Sequence, residues 1–191
     1  MGRWKPDARG RLAVAAMELF AERGFEQTTV AEIAERAGLT ERTFFRHFAD
    51  KREVLFGGSG ELEALLVHGI AAAPARSAPI DAVGEALRSV GPMFAERRSF
   101  ARERQAIIAA NRDLQERELI KLAGLAAAVA GALRGRGVEE PEASLAAETG
   151  IAVFRIGFER WVGAPDDGPA LDQITDELLD SLSGALTSRA L

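Results

Sequence analysis

Apolar residues recur along this chain at three- and four-residue intervals, and no stretch alternates with a period of two for long enough to form a strand. From Asp7 to Arg23, Leu12, Ala15, Ala16, Leu19 and Phe20 fall at i, i+3, i+4, i+7 and i+8, which predicts an amphipathic helix stopped by Gly24. Thr29 followed by Glu32 is a capping-box pattern, and Val30, Ile33, Ala34 and Ala37 share one face of the short second helix that it opens. Gly38 ends that helix. Thr40 caps a third helix holding Phe44, Phe45 and Phe48, and Asp50 with Glu53 repeats the box for a fourth. The fourth carries Val54, Leu55, Leu62, Leu65, Leu66 and Ile70 but contains Gly57, Gly58, Ser59 and Gly60. An interior glycine costs about 1 kcal/mol relative to alanine, so this segment is expected to be soft, kinked or frayed.

After an Ala-, Pro- and Ser-rich connection at Ala71 to Ala78, Pro79 starts a helix on Ile80, Val83, Leu87, Val90 and Phe94. Further helices are predicted from about Ser99 to Ala110, Asp113 to Leu133, Pro141 to Val162 and Pro169 to Leu186. The fold class is all-α, with about nine helices. A three-helix helix-turn-helix domain is expected over residues 1–52 and a helical, dimerising bundle over residues 53–191. Leu145, Ile151, Val153, Phe154, Ile156, Phe158, Trp161 and Val162 surround their helix, which predicts burial on two sides. Leu171, Ile174, Leu178, Leu182 and Leu186 make a near-heptad seam on the last helix. A homodimer through a four-helix bundle of the last two helices is the expected assembly.

The segment from Thr29 to Phe48 has the layout of a helix-turn-helix, with Ala37, Gly38 and Leu39 at the turn. Val30, Ile33, Leu39, Phe44 or Phe45, and Phe48 supply an apolar underside. Thr40, Glu41, Arg42, Thr43, Arg46 and His47 remain for the exposed face of the recognition helix, beside Phe44. Arg42 is placed for a bidentate contact to guanine, and Thr43 for a base or a thymine methyl. Thr40 and His47 suit phosphates, as do Thr28 and Thr29 at the start of the second helix. Lys51 stands at a helix N-terminus, where the macrodipole disfavours a cation. A DNA phosphate shared with the backbone N–H groups there would favour it. Arg3, Lys5 and Arg9 form a basic arm that could follow the backbone or enter a minor groove.

Charge changes this picture only once the chain is divided. The net charge of −5 argues mildly against nucleic acid. Residues 1–52, however, hold ten Lys or Arg against eight Asp or Glu, a net +2, so the acidity belongs to the remainder. The absence of cysteine excludes disulfides, thiolate metal sites and a Cys nucleophile. No apolar run approaches the roughly 20 residues of a membrane span, and a soluble, cytoplasmic protein with no membrane contact is expected. Two His, no Tyr and no Gly-rich loop after a strand argue against an enzyme, and no metal or cofactor is expected. Glu148 and Glu159 lie three turns apart, too far to share a metal, and Asp166-Asp167 reads as a turn.

Thr28-Thr29-Val30-Ala31-Glu32-Ile33-Ala34, Ala37-Gly38-Leu39-Thr40, Thr43-Phe44-Phe45-Arg46-His47-Phe48 and Asp50-Lys51-Arg52-Glu53 together resemble the N-terminal domain of TetR-family transcriptional regulators. The resemblance covers about residues 9 to 56. It implies a nine-helix homodimer on a palindromic double-stranded DNA operator, repressing until a small-molecule effector binds the C-terminal domain. Phe45 stands where the family usually has tyrosine; lacking the hydroxyl that commonly meets phosphate, it is expected to pack. The C-terminal half resembles the subgroup typified by the mycofactocin-system regulator through Arg97, Arg98, Arg102, Arg104 and Glu159-Arg160-Trp161, which implies an acyl-CoA-like effector.

An effector pocket would lie among helices four to eight and be mainly apolar. Its candidate lining is His68, Met93, Phe94, Phe100, Arg104, Ile108, Phe154, Arg155, Phe158 and Trp161. Arg104 and Arg155 are singled out because each falls amid apolar neighbours, where an unpaired charge is costly. The competing reading is a helical ligand-binding or protein-interaction module without specific DNA binding.

Overall fold

A computed structural model describes residues 7–187, with side chains up to Ala185. Arg3 and Lys5 of the basic arm, and the Leu186 side chain of the seam, lie outside the described residues. Eleven helical segments run along the described chain: α1 Ala8–Arg23, α2 Val30–Arg36, α3 Glu41–His47, α4 Arg52–Leu55, α5 Ser59–Ala72, α6 Pro79–Ser89, α7 Gly91–Phe94, α8 Arg98–Ala109, α9 Arg112–Gly135, α10 Glu142–Gly163 and α11 Leu171–Thr187. None of them is long and apolar enough to cross a membrane.

Two interruptions account for the difference from about nine. The predicted fourth helix is broken rather than merely softened: α4 stops at Leu55, a turn occupies 56–58, and α5 restarts at Ser59. Asp50 starts α4 by accepting from the backbone N–H groups of Arg52 and Glu53. Beyond α6, Pro92 cannot donate a backbone hydrogen bond, and Gly91–Phe94 form a separate single turn.

The chain divides into two compact units. Unit 1 extends to Gly58 and takes in Glu103–Glu118; unit 2 comprises Ser59–Arg102 and Leu119–Leu191. Unit 1 buries Leu12, Leu19, Phe20, Ile33, Phe44, Phe48, Val54 and Leu55 together with Ile108 and Leu114. The last two come from a segment whose own periodicity gave no sign of this partnership.

In unit 2, α6 is the central helix. It buries Ala82, Val83, Gly84, Ala86 and Leu87, residues that point in several directions around it. Small residues let its neighbours approach. A Cβ on Gly69 of α5 would stand 2.8 Å from the Ala86 Cα, one on Gly84 would stand 3.0 Å from Leu179 of α11, and one on Gly150 of α10 would collide with Val83. Arginines close several helix ends in this unit. Arg136 donates to the carbonyls of Ile70, Ala73 and Pro74 after α5, and Arg102 to those of Val162 and Ala164 after α10. These are the orphan acceptors that every helix leaves at its C-terminus.

Two glycine substitutions should therefore act with opposite sign. Gly69→Ala pushes against α6 backbone and is expected to destabilise unit 2 by about 1–3 kcal/mol. Gly124→Ala meets nothing within 4 Å and should stabilise α9 by roughly 0.5–1 kcal/mol. Urea unfolding of the two variants beside the parent checks both signs.

Candidate nucleic-acid interface

The recognition helix α3 is positioned from below and from its turn. Thr29 accepts from the Glu32 N–H while the Glu32 carboxylate accepts from the Thr29 N–H at 2.9 Å, completing the capping box of α2. That backbone N–H, and then the Thr29 hydroxyl, hold the Glu32 carboxyl below the usual carboxylate range. At the far end of α2, Gly38 adopts φ +64°, the left-handed conformation that a side chain with a Cβ disfavours. The Leu39 N–H then donates to Ala34 O at 2.8 Å, and Thr40 caps α3 by accepting from the Thr43 N–H.

Arg11 of α1 locks this turn. Its guanidinium donates to the carbonyls of Ala37 and Gly38, so the helix that carries the core stripe also holds the end of α2. Arg36 returns the grip in the other direction, pairing with both carboxylate oxygens of Glu22 at 2.9 Å and with Glu18. Arg23 pairs with Glu32. Arg9 donates to Gly57 O and lies over the Phe48 ring, and Arg52 pairs with Asp50.

The face left open carries Thr40, Glu41, Arg42, Phe45 and Arg46, with Thr43 and His47 half-buried. Arg42 and Arg46 form no ion pair among the described residues. His47 Nε2 is buried and has no hydrogen-bond partner.

Other expected contact residues are placed differently. Thr28 is buried, and its hydroxyl donates to the carbonyls of Gly24 and Leu19, so it closes the α1–α2 connection from inside. Lys51 needs no phosphate to explain its position: its ammonium donates to the carbonyls of Phe25, Glu26 and Thr28 and stands 4.4 Å from the centre of the Phe25 ring. Phe44 is wholly buried, stacked obliquely on Phe48, which makes it the underside of α3. Phe45, expected to pack, is instead 55% exposed: Phe44 takes the core-facing position of α3, and the turn of about 100° per residue carries its neighbour onto the open face.

The effector candidates separate by unit. In unit 2, Phe94, Phe154, Phe158 and Trp161 form one aromatic cluster with centroid separations of 5.6–6.2 Å, and Met93 packs on the same core. His68 and Phe100 are exposed. Arg155 is not set among apolar groups; it is about half exposed and pairs with Glu159 one turn away. Arg104 and Ile108 belong to unit 1, where Ile108 is core. Arg104 is mostly buried, yet donates to Leu55 O at 2.6 Å, pairs with Glu118 and covers Phe56. Burial lowers its proton affinity and Glu118 opposes that shift. Arg98 and Arg102 close the turn after α10, with Arg98 also over Trp161. Sequence reasoning missed Arg11 and Arg36, whose partners lie 14 to 27 positions away, beyond any local pattern.

Residues 12–56 match the family model described as bacterial regulatory proteins, tetR family, and residues 77–187 match the MftR C-terminal domain. The HTH-type transcriptional regulator TcmR of Streptomyces glaucescens is 39% identical over 82 residues, 43% of this chain and 36% of that protein. The HTH-type transcriptional repressor KstR2 of Mycobacterium tuberculosis is 45% identical over 47 residues, 25% of this chain and 24% of its own length. The chain thus matches little more than a third, or less, of these curated relatives. Two solved structures share the fold over most of both chains. Thermus thermophilus FadR in complex with lauroyl-CoA has a TM-score of 0.55 at 24% identity, covering 90% of this chain and 91% of that one. Bacillus subtilis FadR in complex with stearoyl-CoA has a TM-score of 0.58 at 19% identity, covering 90% and 95%. With its helix-turn-helix in unit 1 and a matched C-terminal family domain that spans more than half of its residues, the chain belongs to the TetR family of bacterial regulatory proteins.

Proposed function

We propose that this protein is a sequence-specific, double-stranded DNA-binding transcriptional regulator, a homodimeric repressor that a small-molecule effector releases from a palindromic operator. The observation that carries this reading is the uneven use of cations in the head. Arg9, Arg11, Arg23, Arg36, Lys51 and Arg52 are engaged within unit 1, whereas Arg42 and Arg46 stand on the open face of α3 without ion pairs. Among the described residues of the head, leaving Arg42 and Arg46 without ion pairs suits a surface whose counter-charge comes from elsewhere. Arg42 reads guanine through a bidentate contact, and Thr43 reaches a neighbouring base. Thr29, Thr40 and Arg46 meet phosphates, as does the half-buried His47 through Nδ1, its Nε2 being enclosed, with Glu41 at the rim. Thr28, Phe44 and Lys51 act from inside, by fixing where α3 stands.

The dimer forms through the outer face of α10 with α11 beside it; the seam expected on α11 is not itself that face, since Leu171, Ile174, Leu178 and Leu182 pack on the core of unit 2. Leu145, Ala152, Ile156 and Gly163 fall on one face of α10 and are all exposed, with Leu145 at 65% and Ile156 at 41%. A stripe of apolar and small residues this long is costly to leave in water. The effector site lies in unit 2 beside the aromatic cluster of Phe94, Phe154, Phe158 and Trp161. The acyl-CoA complexes of the two FadR proteins make acyl-CoA esters the first effector class to test.

Selection of genomic fragments by the purified protein tests the reading: enrichment of one inverted repeat supports it, and indiscriminate recovery overturns it. On that operator, Arg42→Ala should lose about 1–3 kcal/mol of specific affinity with an unchanged Tm. Arg11→Met should lower Tm and operator affinity together, because it releases the turn before α3. Gel-shift titration beside thermal melting separates the two. Ile156→Glu is expected to convert the dimer to monomer in sedimentation velocity, with the melting temperature of unit 1 unaltered.

A further inference from the structure

The exposed Phe45 ring is the one large apolar group on the open face of α3. On a seven-residue helix it stands one turn after Arg42 and directly before Arg46. Its own contact is with Phe44, edge to face at a centroid separation of 5.5 Å, which orients the ring without covering it. Covering an aromatic ring that stands more than half in water is favourable, so an apolar group meeting it in the working state would gain contact area. Between two arginines that lack ion pairs, the complementary surface is polyanionic, and a DNA major groove offers one apolar group on its base edges, the C5-methyl of thymine.

We propose that Phe45 is a specificity-determining residue that packs against a thymine methyl in each operator half-site. This inference rests on the DNA-binding reading and goes beyond it, since phosphate and guanine contacts through arginine would exist with any residue at position 45. The phenyl ring has no hydroxyl to offer a phosphate, so its contribution is contact area. It reads sequence where the arginines supply attraction and a guanine contact.

The test replaces thymine by deoxyuridine, one position per half-site at a time, in an operator recovered by genomic selection. Deoxyuridine pairs identically and lacks only the methyl group. For the parent protein one position should show a loss of about fourfold in affinity per half-site, the value of one buried methyl-sized group. In Phe45→Ala that discrimination disappears while the overall affinity for the thymine operator falls. Phe45→Leu retains part of it. Thermal melting checks that both variants fold, as an exposed side chain allows. If the parent binds its operator but no thymine position responds, or if Phe45→Ala keeps the full deoxyuridine penalty, the inference is overturned and the DNA-binding reading stands. If the parent selects no operator at all, the DNA-binding reading itself fails.

Discussion

A helix that stops inside a domain leaves carbonyl oxygens with no partner, and this protein closes such ends with cations drawn from elsewhere in the chain. Arg11 holds the end of α2, Lys51 the connection after α1, Arg104 the end of α4, Arg136 the end of α5 and Arg102 the end of α10. Each of these groups joins segments far apart in sequence, and each is a charge-assisted hydrogen bond of the stronger kind. The short helices of unit 1 depend on it most. A seven-residue helix has little stability of its own, so α2 and α3 stand where Arg11, Arg36 and the core beneath Phe44 put them.

The same economy explains the charge of the head. A net of +2 over residues 1–52 suggested a weakly basic, DNA-facing surface. Most of the described cations in that segment prove to be structural, tied to carbonyls or to carboxylates of unit 1. The proposed interface rests on the arginines that, among the described residues of the head, remain outside such pairs, Arg42 and Arg46, which share one face of α3. Net charge does not single them out, and pairing does.

What could be read from the sequence is what local chemistry decides. Thr29 with Glu32 and Thr40 at a helix start bring their partners within four residues, and both caps form as expected. Gly38 takes its left-handed conformation because the turn demands it. Tertiary partners settle the rest. Phe44 and Phe45 are chemically identical neighbours, and only the packing against Phe48 and α1 determines which is buried. Lys51 looked unfavourable at a helix N-terminus until carbonyls 23 to 26 positions earlier supplied its partners. Arg104 and Arg155 had similar apolar flanks, yet one is enclosed against Glu118 and the other pairs with Glu159 at the surface. Apolar flanks alone cannot distinguish those outcomes: Arg104 is enclosed by Glu118 from another helix, whereas Glu159 stands one turn along Arg155's own helix.

The central claim is that, among the described cations of the head, α3 carries those proposed to meet DNA while the others hold the fold. The salt dependence of operator affinity measures this directly, since removing a cation that meets one phosphate should reduce the slope of log affinity against log salt by about 1. Arg46→Gln is expected to flatten the slope by that amount per half-site, whereas Arg23→Gln, which removes an internally paired cation, should leave it unchanged. Equal slopes for the parent and both variants, or a flattening confined to Arg23→Gln, would contradict the account.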